Sequence, residues 1–497
     1  MRWIFCTVLV VGCSTDFAPK PCAVDGDCAT GDVCEIRETT PVCVKAEDAP
    51  LTIGQSAPIS GTNQALGTGM KTGVELAFKE QNDAGGIRGR QLVLDFRDDA
   101  YDPPTAEMDA RAFTDVIVSP SDPPKCPSTS TMEPDGHGNN TPISTTALTR
   151  GPNAVLAFLG NVGTPTMIRA APVAIETGTI YFGAFTGADK ILRDMTAGPC
   201  AKYVFNVRAG YDQEAQATMD LFKKRGVTGY ANLISFDQND TFGDAGYNGF
   251  STAYAVDYTA LTGTQAIVRF RYTRNDDTSV PAAVTQAETY ITNLLTTTTG
   301  TQPVGIMMTD TYGAGGTFIQ SLRQWQFDGL QATLDKPNRL KLYFSNVSFV
   351  GPNSLSDRLV SAGTITTPTG PMPFTQDVYV SQVVPNYQSD SSDVVVAYNK
   401  AIVAAGDAPS FTSLEGYIDA KVFIAGLIAH DGPFTPESLI SAFETLPNLS
   451  LGLGATAGFA QTNHTYSSSV WGTSIMPTGE FKNLYFWTTN SAIQFFE

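Results

Sequence analysis

The chain has 497 residues, 42% of them hydrophobic and 16% charged, which is enough apolar material for large cores and a length that predicts two or three domains. Its 31 basic residues against 49 acidic ones leave a net charge of -18, which opposes attraction to phosphate backbones and to anionic membrane surfaces. Composition therefore argues against nucleic acid as a partner.

Taken in chain order, Arg2 precedes an apolar run from Trp3 to Val11 that ends in Val-Val-Gly-Cys at 10 to 13, the pattern of an export signal over residues 1 to 12. The run is too short to cross a bilayer, which needs about 20 apolar residues, and no later segment offers such a stretch free of charges or of Gly and Pro breaks. Its end resembles a bacterial lipobox, which implies cleavage before Cys13 and lipidation of that thiol. An ordinary secretory signal with an incidental cysteine is the competing reading. A lipid would be the only membrane attachment.

With Cys6 lost in the signal and Cys13 lipidated, six of the eight cysteines remain, an even number that can pair completely. Cys22, Cys28, Cys34 and Cys43 crowd a stretch over residues 13 to 50, rich in Asp, Gly, Thr and Pro, that cannot bury a core without staples. It is expected to form a separately stapled spacer between anchor and domains. Zinc is the alternative, but the C-x5-C-x5-C-x8-C spacing has no close cysteine pair and no nearby His. No metal or other cofactor is expected. Cys126 and Cys200 lie in separate loops and are candidates for a further bridge.

From Leu51 onward, strand-like and helix-like periods alternate, as in an α/β protein whose parallel sheets are flanked by helices. Strands are predicted at Leu51 to Ala57, Gln91 to Phe96, Val155 to Leu159, Ile180 to Phe185, Tyr203 to Val207, Ala231 to Phe236, Val268 to Tyr272, Val304 to Met308, Lys341 to Ser345 and Tyr379 to Val384. Met70, Gly73, Val74, Ala77 and Phe78 recur at helical spacing until Asn82-Asp83-Ala84-Gly85-Gly86 stops the helix. Further helices are predicted near Ser391 to Ala404 and Leu414 to Ile428. The segment 119 to 150, dense in Pro, Ser, Thr, Gly and Asn, reads as an inserted surface loop.

At Gly160-Asn161-Val162-Gly163-Thr164-Pro165-Thr166 a strand runs through a Gly-rich turn into a helix, with Thr164 expected as N-cap and Pro165 in the first helical place. Free amides at such a start favour an anion, although a capped helix with no ligand is the usual fate of a Thr-Pro start. Phe182-Gly183-Ala184-Phe185-Thr186-Gly187 makes a second strand-to-loop edge with a hydroxyl beside a ring. Catalytic patterns fail. Gly67-Thr68-Gly69-Met70-Lys71-Thr72 has Met where a phosphate loop needs Gly, there is no G-x-S-x-G or H-E-x-x-H, and His137, His430 and His464 stand apart from any evident nucleophile. No enzymatic activity is expected. Asp95, Asp98, Asp99 and Asp102 lack the alternation of a calcium loop and read as a solvated strand end.

Four blocks resemble the extracellular solute-binding proteins of branched-chain amino-acid (Leu/Ile/Val) ABC transporters. They are Ile53-Gly54 with Ala57-Pro58-Ile59-Ser60-Gly61 and Asn82 to Arg90; Asp98 to Pro103; Phe205-Asn206-Val207-Arg208-Ala209-Gly210-Tyr211; and Leu414-Glu415-Gly416-Tyr417. The resemblance covers roughly residues 50 to 490 and implies the type I periplasmic-binding-protein fold: two Rossmann-like lobes joined by a three-crossing hinge, with a solute clamped between them. It implies a first lobe over 51 to 205 plus 385 to 470, a second over 206 to 384 plus 471 to 497, and crossings near 205 to 210, 378 to 384 and 470 to 476.

The same resemblance implies that Val162, Gly163 and Thr164, with Ala184, Phe185 and Thr186, hold a carboxylate, and that Phe242 stacks over the solute. Where the family's amino-acid binders place a glutamate against the ammonium group, this chain has Ser345-Asn346-Val347-Ser348. Asp310, beside Tyr312, is the candidate replacement, since a buried ammonium without counter-charge is costly. The expected function is delivery of a small polar solute, an amino acid or a related carboxylate or amide, to the membrane subunits of an ABC permease, from the periplasm-facing cell envelope. The alternative is a sensory lipoprotein that reports the same capture to a partner protein, because one fold serves both uses.

Overall fold

The computed structural model describes residues 19–37, 39–126, 132–134, 140–142, 147–188, 200–257, 265–330, 339–454, 457–489 and 491–496. The export run, Cys6, Cys13 and His137 lie outside the described residues.

Five strands make one parallel sheet in the order Val204–Phe205, Ile180–Phe182, Ala157–Leu159, Leu51–Ser56, Leu92–Arg97. Eight make the other: Val268–Tyr272, Leu233–Gln238, Gln302–Thr309, Leu340–Asn346 and Val378–Gln382 run parallel, and Val470–Ile475, Phe481–Trp487 and Gln494–Phe495 extend the sheet antiparallel. The parallel strands fall where the periodicity places them. Strands covered by helices on both faces read as apolar runs, and all six residues of Leu233–Gln238 are buried. The three antiparallel strands had no such signal, because their half-exposed faces mix Lys, Asn and Thr with aromatics.

The helix Gln64–Asp83 buries Leu66, Met70, Val74, Ala77 and Phe78, a stripe at helical spacing, and lies along Phe411–Ala429. Two glycines let these helices touch: a Cβ at Gly73 would sit 2.1 Å from the Ser413 carbonyl oxygen, and one at Gly416 would sit 2.5 Å from that of Met70. Asp393–Ala405 and Pro436–Glu444 complete this layer, so a segment far along the chain returns to cover the first sheet. The chain passes between the sheets three times: after Phe205, after Gln382, and ahead of Val470. The third passage comes earlier than 470 to 476, because Val470 already pairs within the second sheet. Two passages bind each other, Asn206 N–H donating to the His464 carbonyl at 2.8 Å and Tyr466 N–H to that of Asn206 at 2.8 Å.

Disulfides join Cys22 to Cys34, Cys28 to Cys43 and Cys126 to Cys200, with Cα separations of 5.8, 5.5 and 5.8 Å. The sulfurs of Cys22, Cys28 and Cys43 cluster because they belong to two adjoining bridges. Both bridges staple the antiparallel hairpin Asp32–Arg37 with Thr40–Lys45, whose own core is little more than Val33, Ala46 and Ala49. The expectation of a separate spacer is corrected here. Arg88 meets Asp25 at 2.5 Å and Arg90 meets Glu35 at 2.8 Å, so the module is docked on the first lobe by ion pairs in which Arg90 is 4% exposed.

The insertion is also more ordered than its composition suggests. Ile117–Ser119 pairs with Ala147–Thr149, and Met132–Pro134 with Asn140–Pro142. Glu176 accepts the amides of Lys125 and Cys126 at 2.7 and 2.6 Å, which ties the insertion to the helix Thr164–Glu176.

Candidate solute-binding cleft

The first wall of the cleft grows from two strand ends. After Ala157–Leu159 the chain turns through Gly160 (φ 70°) and Gly163 (φ 103°), and a Cβ at Gly163 would lie 2.3 Å from the Tyr101 ring. Gly163 is therefore the N-cap and Thr164 the first helical residue, so the helix begins one place earlier than the sequence pattern implies. The shift has a chemical consequence. Thr164 does not cap its own helix but points its hydroxyl at Thr186, 2.6 Å away, with both side chains 1% exposed.

Backbone zips the two loops together. Gly163 N–H donates to the Phe185 carbonyl at 3.1 Å, and Phe185 N–H to that of Asn161 at 2.8 Å. Thr186 Oγ1 also accepts the Ala188 amide at 3.2 Å and lies 3.4 Å from the Tyr211 hydroxyl. Two hydroxyls thus meet at the start of a helix, whose dipole favours negative charge, an arrangement suited to a carboxylate or amide head.

Aromatic rings face this spot from across the cleft. Phe349, fully buried in the short turn Ser348–Val350, lies 5.0 Å from Phe185, 4.7 Å from Phe242 and 6.1 Å from Tyr101. Tyr211 is 5.5 Å from Phe242, and burial pushes its hydroxyl up to about 12. Above Phe185 and Tyr211, at 5.3 and 5.8 Å, stands the Arg208 guanidinium.

Arg208 is the electrostatic centre of the hinge. It donates to Glu214 at 2.8 Å, to Glu415 at 3.2 Å and to Ser348 Oγ. Glu214 in turn accepts from Ser348 N at 2.7 Å and Ser381 Oγ at 2.5 Å. All these groups are at most 4% exposed. Burial works against the arginine's charge, yet Glu415 and Glu214 together hold its pKa above the ordinary value. One cation thereby ties Glu415, on a helix of the first lobe, to residues of the second.

Of the expected site residues, Val162, Gly163, Thr164, Ala184, Phe185, Thr186 and Phe242 come together around this cleft, with Ser348 beside it in the Arg208 network. Tyr312 packs against the same cluster as Phe185, Phe242 and Phe349, whereas Asp310 does not join them. Asp310 sits under the next helix, where a Cβ on Gly315 would come within 2.8 Å of both its oxygens. It is fully buried, neither oxygen has a hydrogen-bond partner among the described residues, and burial, with Asp277 and Asp237 adding repulsion, drives its pKa well above the carboxylate range. Tyr312 packs against Gly351 beside Leu66.

The Asp98 to Asp102 loop also departs from expectation. Asp98 caps the amides of Ile59 and Ala100, and Asp102 that of Thr105, but Asp99 is fully buried, not solvated. It accepts from Ser56 Oγ at 2.8 Å and Tyr101 N–H at 2.8 Å, and burial raises its pKa to about 7. Asp98 on the Ala100 amide and Asp99 on the Tyr101 amide hold those residues at positive φ, 50° and 60°, and so aim Tyr101 across the cleft to 3.4 Å from Gln238. Tyr101 and Arg208 stand in blocks that carry the family resemblance, without an assigned role; Phe349 has no local signal, because only the fold of the second lobe brings it to the first.

Residues 50–119 match the family model described as periplasmic binding protein. Over 55 residues, 11% of this chain and 15% of the relative, the chain is 47% identical to the Leu/Ile/Val-binding protein homolog 3 of Brucella melitensis. A possible leucine/isoleucine/valine-binding protein from Rhodopirellula baltica superposes with a TM-score of 0.66 at 26% identity, covering 89% of this chain and 98% of that one. The chain has the fold of the periplasmic Leu/Ile/Val-binding proteins. A branched-chain amino-acid ABC transporter structure from Thermus thermophilus with bound valine shares it at 13% identity and a TM-score of 0.61, over 89% of this chain and 97% of that one. The type I architecture and the resemblance read from the sequence both hold, and the proteins matched are binding proteins. Among the described residues no helix is long and apolar enough to cross a membrane.

Proposed function

We propose that this chain is an exported solute-binding lipoprotein, anchored through Cys13 on the periplasmic face of the envelope, that clamps a small solute between its lobes and hands it to an ABC permease. The observation that carries the reading is the pair of hydroxyls, Thr164 and Thr186, held 2.6 Å apart at a helix start and faced by Phe349 and Phe242. A carboxylate or amide head bonds that pair, and an apolar body lies against the rings.

Asp310 lies under the helix that starts at Tyr312, where burial with Asp277 and Asp237 raises its pKa, and we read it as no counter-charge for an ammonium at the hydroxyl pair. The solute class that fits is therefore a carboxylate or amide with an apolar body, and no bond chemistry takes place on it. The test is mass spectrometry of small molecules retained by the purified, lipid-free protein, followed by calorimetry of the retained solute. A retained solute with neither a carboxylate nor an amide, or its turnover by the protein, overturns the reading.

A further inference from the structure

We propose that the cavity between the disulfide module and the floor of the first lobe is a second binding site, for a small organic anion with an apolar body. The cavity measures about 390 Å³, within the range of small-molecule sites. Leu51, Thr52 and Leu156 line it, all at or just before the amino ends of first-sheet strands, whereas Thr164 and Thr186 follow the carboxyl ends of theirs. The two sites lie at opposite ends of one sheet.

The charges around the cavity are unequal. Arg90 is neutralised by Glu35 at 2.8 Å and also donates to the Ala49 carbonyl. Arg150 has no such partner among the described residues. Its Nη2 donates to the Val155 carbonyl at 2.7 Å and its Nη1 to Thr179 Oγ1 at 3.1 Å, both neutral acceptors, and burial lowers its pKa with no acidic neighbour to offset it. A cation removed from water without a counter-charge attracts an anion strongly.

Two further features favour the same ligand. Thr435 and Pro436, which open the helix Pro436–Glu444, line the cavity and bring the positive end of its dipole to it. Ile36, Leu51, Leu156 and Phe434 supply apolar wall for a short hydrocarbon body. Ile36 and Glu35 come from the stapled hairpin, so the disulfide module completes the site.

Because both probes also fit the proposed cleft, calorimetry with sodium hexanoate, and with hexanamide as the isosteric neutral control, is run on the full mature chain and on the chain carrying Thr164→Val, whose cleft is weakened. Hexanoate is expected to bind at least tenfold more tightly than hexanamide. A hexanoate component should survive Thr164→Val, and in that background Arg150→Gln should weaken it at least tenfold and Arg150→Lys restore part of the loss. Ile36→Trp crowds the cavity from a side chain that is 37% exposed, and should weaken binding even if Arg150→Gln fails to fold. Equal binding of hexanamide, absence of hexanoate binding, or loss on Thr164→Val with Arg150→Gln unaffected each overturns the proposal; the last places the anion in the cleft and leaves the proposed function standing.

Discussion

On the first-lobe wall of the cleft the facing hydroxyls satisfy each other, Thr164 to Thr186, and the loops that carry them are zipped by backbone bonds. The strands of the second lobe instead end in buried polar atoms without partners: Thr309 Oγ1, both oxygens of Asp310, and both amide atoms of Asn346. Among the described residues Gln55 Oε1, Arg97 Nε, Asn161 Oδ1 and Tyr181 OH are first-lobe atoms in the same condition. Buried polar atoms are nearly always bonded, so the contrast says where each wall keeps its specificity. The first wall is a preformed donor set on rigid turns. The second is an aromatic lid backed by groups whose energies depend on what approaches them.

The comparison breaks hardest at Arg208, which serves both walls. Arg208→Met strands Glu214 and Glu415 in the interior and should cost about 3–5 kcal/mol of stability in urea titrations. A loss below about 1 kcal/mol would show that the network is not what joins the lobes.

Asp99 offers a pH test of the loop that aims Tyr101. Its folded pKa, about 7, lies above the 3.8 of a free carboxyl, so the folded chain holds a proton that the unfolded chain has released between those values. Stability therefore falls as pH rises from about 4 to about 7, by on the order of 2–4 kcal/mol from this group. Asp99→Asn keeps the shape of the neutral acid and should flatten that slope in thermal melts; an unchanged slope would assign it to other groups.

Thr164→Val sharpens the contrast at the first wall. Losing one hydroxyl to a charged head in a desolvated site should weaken the retained solute 10- to 100-fold, about 1.5–3 kcal/mol. If calorimetry finds parental affinity, the pocket is elsewhere in the fold.

Asp310→Asn is the quieter counterpart on the second wall. Because the acid is already neutral and unpartnered, stability should move by less than about 1 kcal/mol and affinity for a carboxylate should persist. Strong loss of solute would mean that Asp310 ionises against a bound cation. Smallest of all, Thr149→Ala, at an exposed position of the insertion, should stay within about 0.5 kcal/mol in both measurements.

Much of the fold is written in local order: the alternation of apolar strands with helices from Leu51 onward, the Gly-Gly stop after Asn82, and the even count of cysteines. These follow from nearest-neighbour sterics and periodic burial, which act over a few residues. The strand-to-helix turn at Gly160 to Thr166 was equally legible, down to its glycines. What no local pattern contained is which groups meet. Thr164 finds Thr186 because two loops zip, Phe349 reaches Phe185 because the lobes stand face to face, and Arg208 binds Glu415 across more than 200 positions of chain. The docked disulfide module depends likewise on Arg88 and Arg90 finding Asp25 and Glu35. Such pairings are chosen by burial, since a charge or a ring inside the protein must be matched by whatever the fold sets beside it. Sequence alone therefore supplied the architecture and half of one wall, and tertiary structure decided the chemistry of the cleft.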